Sequence, residues 1–182
     1  MQTWIAVLIW MTDVVVISLG LAVFEILIER QHGWGGRLNP SGWGRRLFAG
    51  TFVAEICEKS YLTVYHVFMF AFVVPGILYA QVWMFTYLGF SRPAYGYGYL
   101  SGASRSGLFL FLVSVWFSIL VVEDALWFAL NWYYPKSWED LLQGRIWWHT
   151  RWITIGNIKL PRFYLTTPVV AVAFLILSLH LG

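Results

Sequence analysis

Glu123 and Asp124 stand side by side in the apolar run Val121-Val122-Glu123-Asp124-Ala125-Leu126-Trp127-Phe128. The run around them is long enough to cross a bilayer. Ionisable groups at membrane depth are costly and normally face protein or water, so such a pair is the default candidate for a site. Two other apolar runs carry Glu25 and His66. Carboxylates and an imidazole converging in a dry helical bundle have few stable arrangements. They bind a divalent cation, share protons, or pair with one another and with arginine. One histidine with two or three carboxylates suits Fe, Mn or Zn, and such an ion activates water at neutral pH. The structural alternative pairs Glu29 with Arg30 and Asp124 with an interfacial arginine, and leaves His66 as a packing residue.

The elements that would position these residues are membrane spans. Of the 182 residues, 59% are hydrophobic and only 12% charged. Soluble domains carry about 25% charged residues, so this deficit argues for a membrane protein. The 12 Trp fit membrane–water interfaces, where an apolar ring and a polar N–H are both accommodated. Apolar runs predict four transmembrane helices over residues 4–29, 61–88, 107–131 and 164–181, an all-α integral membrane bundle in a single domain. The first run is too long for a signal-peptide core, lacks a basic leader and is read as an uncleaved helix. Pro75 predicts a kink in the second.

The connecting segments add interfacial elements. Leu47, Phe48, Phe52, Val53 and Ile56 have rough helical spacing and predict an interfacial helix over 45–58, with Glu55 and Glu58 on its solvated face. Ser137-Trp138-Glu139-Asp140 has the form of a capped helix start. The partly alternating residues 145–155, followed by Gly156-Asn157, predict a hairpin on the membrane surface. Residues 89–106 read as a turn-rich aromatic loop. The single cysteine, Cys57, excludes an intrachain disulfide and a Cys-based zinc cage, and reads as a small semi-buried residue.

Charge orients the bundle. Arg30, Arg37, Arg45, Arg46 and Lys59 lie in the first loop; Lys136, Arg145, Arg151, Lys159 and Arg162 lie in the third. The positive-inside rule places loops 30–60 and 132–163 in the cytoplasm and both termini outside, in a plasma or inner cell membrane. The charge of +3 is accounted for by these loops and calls for no nucleic-acid partner. From the loop boundaries, Glu25 and His66 each lie about 7 Å inside the cytoplasmic edge, and Glu123 and Asp124 about 10 Å inside. Acid, imidazole and acid thus share one depth. Glu123 and Asp124 point about 100° apart, so one of them faces the centre.

The expected ligands are Glu25, His66 and Glu123 or Asp124, with Glu29 and His149 as outer groups or a proton shuttle. Arg45, Arg46 and Arg151 are placed to meet a lipid phosphate. A second polar layer, Asp13 with Gln81 and Ser114, lies toward the outside, and an Asp13–Gln81 hydrogen bond is the preferred reading.

Absent motifs narrow the chemistry. There is no HExxH, no P-loop and no GxSxG, so neither a nucleotide site nor a serine hydrolase is indicated. Four histidines are too few for a membrane desaturase. His180 falls at the opposite face from His66, which excludes a bis-His haem.

Phe24-Glu25-Ile26-Leu27-Ile28-Glu29 with Gly33-Trp34-Gly35 resembles an E-I-x-I-E…G-W pattern. Glu123-Asp124-Ala125-Leu126-Trp127-Phe128-Ala129-Leu130-Asn131 with Trp147-Trp148-His149 resembles a D-x-L-W-F-x-L-N…W-H pattern. Both look like small multi-spanning prokaryotic membrane proteins of unknown function, over most of the chain. The resemblance carries no activity, but its patterns include the acids and His149 singled out above.

Three functions are compatible with this reading. They are a metal-dependent membrane enzyme acting on a lipid or other apolar substrate, a non-catalytic subunit of a larger membrane complex, and a small proton-coupled carrier.

Overall fold

A computed structural model of the chain describes residues 2–34, 36–38, 41–87 and 105–181. Residues 88–104, which hold most of the expected aromatic loop, lie outside them. Helix α1 (Gln2–Glu29) is followed by a short strand β1 (Arg46–Leu47), a helix α2 (Phe52–Ile56) and a strand β2 (Leu62–Thr63). The second span is α3 (Val64–Phe68), a π turn (Met69–Val73) and α4 (Val74–Tyr87). Then come α5 (Arg105–Leu130), α6 (Ser137–Leu142), the strands β3 (Trp152–Ile155) and β4 (Ile158–Pro161), and α7 (Phe163–Leu181). Among the described residues, four helices are long and apolar enough to cross a membrane: Trp4–Glu29, Val64–Trp83, Ser106–Leu130 and Phe163–Leu181. The chain is mostly helical, but not wholly so, because β1 pairs with β2 and β3 with β4.

Helix α5 packs against both α1 and α7. Polar side chains join the helices by hydrogen bonds. Trp10 Nε1 donates to Ser114 Oγ at 2.8 Å, Ser114 Oγ donates to the Ala171 carbonyl at 2.7 Å, and Ser178 Oγ donates to the Gly107 carbonyl at 2.8 Å. The expected Asp13–Gln81 bond is present, with Gln81 Nε2 donating to Asp13 Oδ1 at 2.7 Å. Ser114 does not join that pair.

At Pro75 the sequence predicts a kink, and the chain answers with the π turn just before it. The Val74 N–H bonds back to the Met69 carbonyl, five residues earlier. In that register the next donor is residue 75, and proline has no N–H. The Phe70 carbonyl so released accepts the Trp116 indole N–H at 2.8 Å. Trp116→Phe is therefore expected to leave the Phe70 carbonyl unsatisfied and cost about 1–3 kcal/mol. Thermal unfolding in detergent measures it, and an unchanged midpoint would show that the bond carries no weight.

The interfacial elements are shorter than expected. The helix expected over 45–58 shrinks to α2, because Phe48 and Gly50 take left-handed backbone at φ 58° and 67°. Glu58 is not on a solvated face: it is buried, with Arg162 Nη2 2.6 Å from its Oε1. Cys57 is exposed rather than semi-buried. Ser137 does not cap α6; its hydroxyl donates to the Phe128 carbonyl at 2.7 Å. The hairpin expected after residue 145 is present as β3–β4, turning at Gly156-Asn157.

The two charged loops meet at one end of the bundle. Arg30 takes φ 54°, ending α1, and its carbonyl accepts the Asn131 amide at 2.8 Å. Lys59 and His149 form an isolated antiparallel bridge that joins the loops. Beneath them, Ile26, Trp127, Phe128, Leu141, Ile146 and Trp148 form an apolar core separate from the main one between the spans.

Candidate metal centre

Helices α1 and α3 bring Glu25, Glu29 and His66 together. All three are buried, and one donor atom from each lies within 4.8 Å of the others. Glu25 and Glu29 share a face of α1 because they are four residues apart. His66 sits in the first turn of α3, whose N-cap is Thr63. Thr63 Oγ1 accepts the His66 backbone N–H at 3.3 Å and lies 2.6 Å from His66 Nδ1. Trp34 stacks on the imidazole with ring centroids 3.9 Å apart, and its indole N–H is tied to the Tyr61 carbonyl at 2.6 Å. The ring is thus clamped by its Nδ1 edge and by one face.

Its other nitrogen is left over. His66 is 1% exposed, and Nε2 has no hydrogen-bond partner. The nearest carboxylate oxygen, Glu29 Oε1, is 3.9 Å away, too far for a hydrogen bond. The Thr63 contact admits either tautomer of the ring; in the one whose Nδ1–H donates to the hydroxyl, Nε2 presents the lone pair that ligates metals. Ligand bonds of about 2.0–2.2 Å span at most about 4.4 Å between two donors, so an ion would draw these side chains slightly together from the 4.8 Å within which their donor atoms lie. One nitrogen and two carboxylates suit Mn, Fe or Zn.

The remaining expected ligands divide. Glu123 lies beside Glu25, and both line a small cavity with Glu29, Trp34, Asp124, Trp127 and Trp148. Asp124 turns away, as the 100° offset of successive helical residues requires. Lys59 Nζ donates to its Oδ1 at 3.1 Å and the Tyr164 hydroxyl to its Oδ2 at 2.6 Å. Both oxygens being engaged, Asp124 leaves the expected ligand set, and Glu29 moves from its outer position into it.

His149 belongs to the Asp124 group as well. Its Nδ1 lies 3.1 Å from Lys59 Nζ, which can only donate while charged, so the ring proton sits on Nε2. Nε2 in turn lies 3.5 Å from Asp124 Oδ2, at the edge of hydrogen-bond range. Lys59 Nζ also sits 4.4 Å from the Trp34 ring centroid and 4.6 Å from that of Phe163. Burial pushes the Lys59 amine down from its ordinary value, and Asp124 opposes the shift. Burial, aided by the Lys59 charge, pushes His149 down to about 4.

That shift has a sign. From about pH 6.5 down to pH 4 the unfolded chain holds a proton on this imidazole and the folded chain does not. Stability is therefore expected to fall with pH across that window, by up to about 3 kcal/mol. Unfolding midpoints at pH 7 and pH 4.5 check this. His149→Gln should flatten the dependence, and an equal slope in both proteins would contradict it.

Sequence reasoning missed Lys59, Tyr164, Thr63 and the clamping role of Trp34. The Thr63-x-x-His66 spacing of an N-cap was a usable signal. Lys59 had none, because its pairing with Asp124 spans 65 residues. Left-handed, non-glycine backbone flanks the site at Arg30, Trp34 and Glu58. Each costs about 1–3 kcal/mol, and such strain tends to gather at functional sites.

Arg46 stands on β1 directly opposite Thr63 on β2, and its guanidinium lies 4.5 Å from the Tyr61 ring centroid. It is therefore one strand away from the residue that orients His66. Arg45, Arg46 and Arg151 are all exposed. Comparisons with family models, curated proteins and solved structures return no match for this chain.

Proposed function

We propose that this chain is a metal-dependent membrane enzyme acting on a lipid or other apolar substrate at the cytoplasmic leaflet. A divalent Mn, Fe or Zn would sit between Glu25, Glu29 and His66. One observation carries the reading: a fully buried imidazole nitrogen without a partner faces two buried carboxylates, with the rest of the ring already clamped. Buried polar atoms are normally hydrogen-bonded, so Nε2 facing two carboxylates calls for a partner.

The chain's own residues supply the rest of the reading. Thr63 and Trp34 fix the imidazole, and Trp34, Trp127 and Trp148 give the cavity apolar walls. Arg46, beside Thr63 in the β1–β2 ladder, would hold a phosphate head group at the rim, with Arg45 and Arg151 nearby on the cytoplasmic side set by the positive-inside rule. The bound ion would polarise an ester or phosphoryl oxygen and lower the pKa of a water.

The test is turnover. Purified protein loaded with Mn(II) is incubated with vesicles of mixed phospholipids, and the lipids are followed by mass spectrometry. The expected result is loss of one lipid class with wild type, abolished by chelator and by Glu29→Gln. No change in any lipid class with metal-loaded wild type would overturn the enzymatic reading.

A further inference from the structure

We infer that the site holds two cations bridged by Glu25, the second between Glu25, Glu123 and the Tyr65 hydroxyl. This rests on the metal reading above and deepens it. The Glu25 carboxyl is in polar contact with both the Glu123 carboxyl and the Tyr65 hydroxyl. Yet Glu123 Oε1 and the Tyr65 hydroxyl have no hydrogen-bond partner of acceptable geometry. These residues are 4% and 5% exposed, so solvent does not satisfy them either. Unpaired polar atoms this deeply buried are costly. They reach Glu25 from α5 and α3, elements other than the one that carries Glu29.

Charge points the same way. Among the described residues of this layer, Glu25, Glu29, Glu123 and Asp124 oppose the single ammonium of Lys59, a formal balance of −3. Glu58 is neutralised separately by Arg162. One divalent cation leaves −1 in a dry site. Two leave +1, which an anionic substrate group, such as the phosphate of a lipid head group, neutralises. The donor sets differ in kind. The first ion has a nitrogen ligand, whereas the second has oxygen alone and suits a hard ion such as Mn(II) or Mg(II). Paired ions at about 3.5–4 Å, sharing a carboxylate, clamp both the attacking and the leaving oxygen of a displacement at phosphorus.

Stoichiometry tests this without any assumption about activity. The detergent-purified protein is saturated with Mn(II), freed of excess metal, and assayed for metal per chain and by electron paramagnetic resonance. The expected result is two Mn per chain with a spin-coupled signal. Glu123→Gln should keep one Mn and give an uncoupled signal. Tyr65→Phe, which removes only the hydroxyl, should weaken the second ion at least about tenfold and spare the first. One Mn per chain in wild type overturns the paired centre and leaves the single-ion reading standing. None overturns both. Two Mn retained in Glu123→Gln overturns the assignment of the second ion.

Discussion

Replacing His66 by alanine is expected to lower the affinity for Mn(II) or Zn(II) by more than about a hundredfold. Outer hydrogen-bond partners of a ligating histidine already contribute about 10–100-fold, and His66 supplies the one nitrogen of the first site. Thr63→Val should fall between wild type and His66→Ala, with a loss of about 10–100-fold, because the imidazole survives but its Nδ1 anchor does not. Competition against a fluorescent chelator gives these affinities. The order matters more than the size. If Thr63→Val binds as tightly as wild type, the clamp on Nδ1 has no bearing on metal. If His66→Ala binds as tightly, Nε2 is not a ligand.

The second large effect concerns folding. Lys59→Met is expected to destabilise the protein by about 3–5 kcal/mol, because it leaves Asp124 buried and charged with no ammonium beside it. The methionine keeps most of the apolar stem between Trp34 and Phe163, so the loss is chiefly electrostatic. Lys59→Met combined with Asp124→Asn should recover most of the stability, since the pair is removed together. A double-mutant cycle on unfolding midpoints isolates the coupling. Additive effects would mean that Lys59 acts through its contact with His149 or through packing, not through Asp124.

These two effects separate the halves of the site. The Glu25, Glu29 and His66 group, two acids and an imidazole, could hold an ion. The Asp124, Lys59, Tyr164 and His149 group is held by an ion pair and hydrogen bonds, with His149 Nε2 left 3.5 Å from Asp124 Oδ2. It ties the two loops to α5 and α7, and Asp124 joins it to the cavity wall.

Most of the fold was legible because its signal is composition over length. Apolar runs of span length mark α1, the second span, α5 and α7 whatever their packing. The site was half legible. Glu25, His66 and Glu123 stood out because an ionisable group inside an apolar run is costly and needs a partner, structural or functional. Depth along a helix axis is a one-dimensional quantity, however, and azimuth decides which acids meet. The four-residue spacing already put Glu29 on the face of Glu25, but its place at the boundary beside Arg30 made it read as an outer group. Asp124 and Glu123 share a depth and part by azimuth. Lys59 read as one more loop cation, because nothing local reveals that the chain will pair Lys59 with His149 across the two loops. The interfacial helix was overextended for a similar reason. Its apolar spacing continues through Phe48, where the backbone turns left-handed to let β1 return toward β2.

The central claim is an ion at His66 Nε2, and anomalous scattering tests it most directly. Crystals grown with Mn(II) or Zn(II), measured above the metal's absorption edge, are expected to show a peak about 2.0–2.2 Å from His66 Nε2 and from carboxylate oxygens of Glu25 and Glu29. A density map without that peak, with His66 Nε2 hydrogen-bonded directly to Glu29, would contradict the metal centre and leave the cluster as a buried structural network.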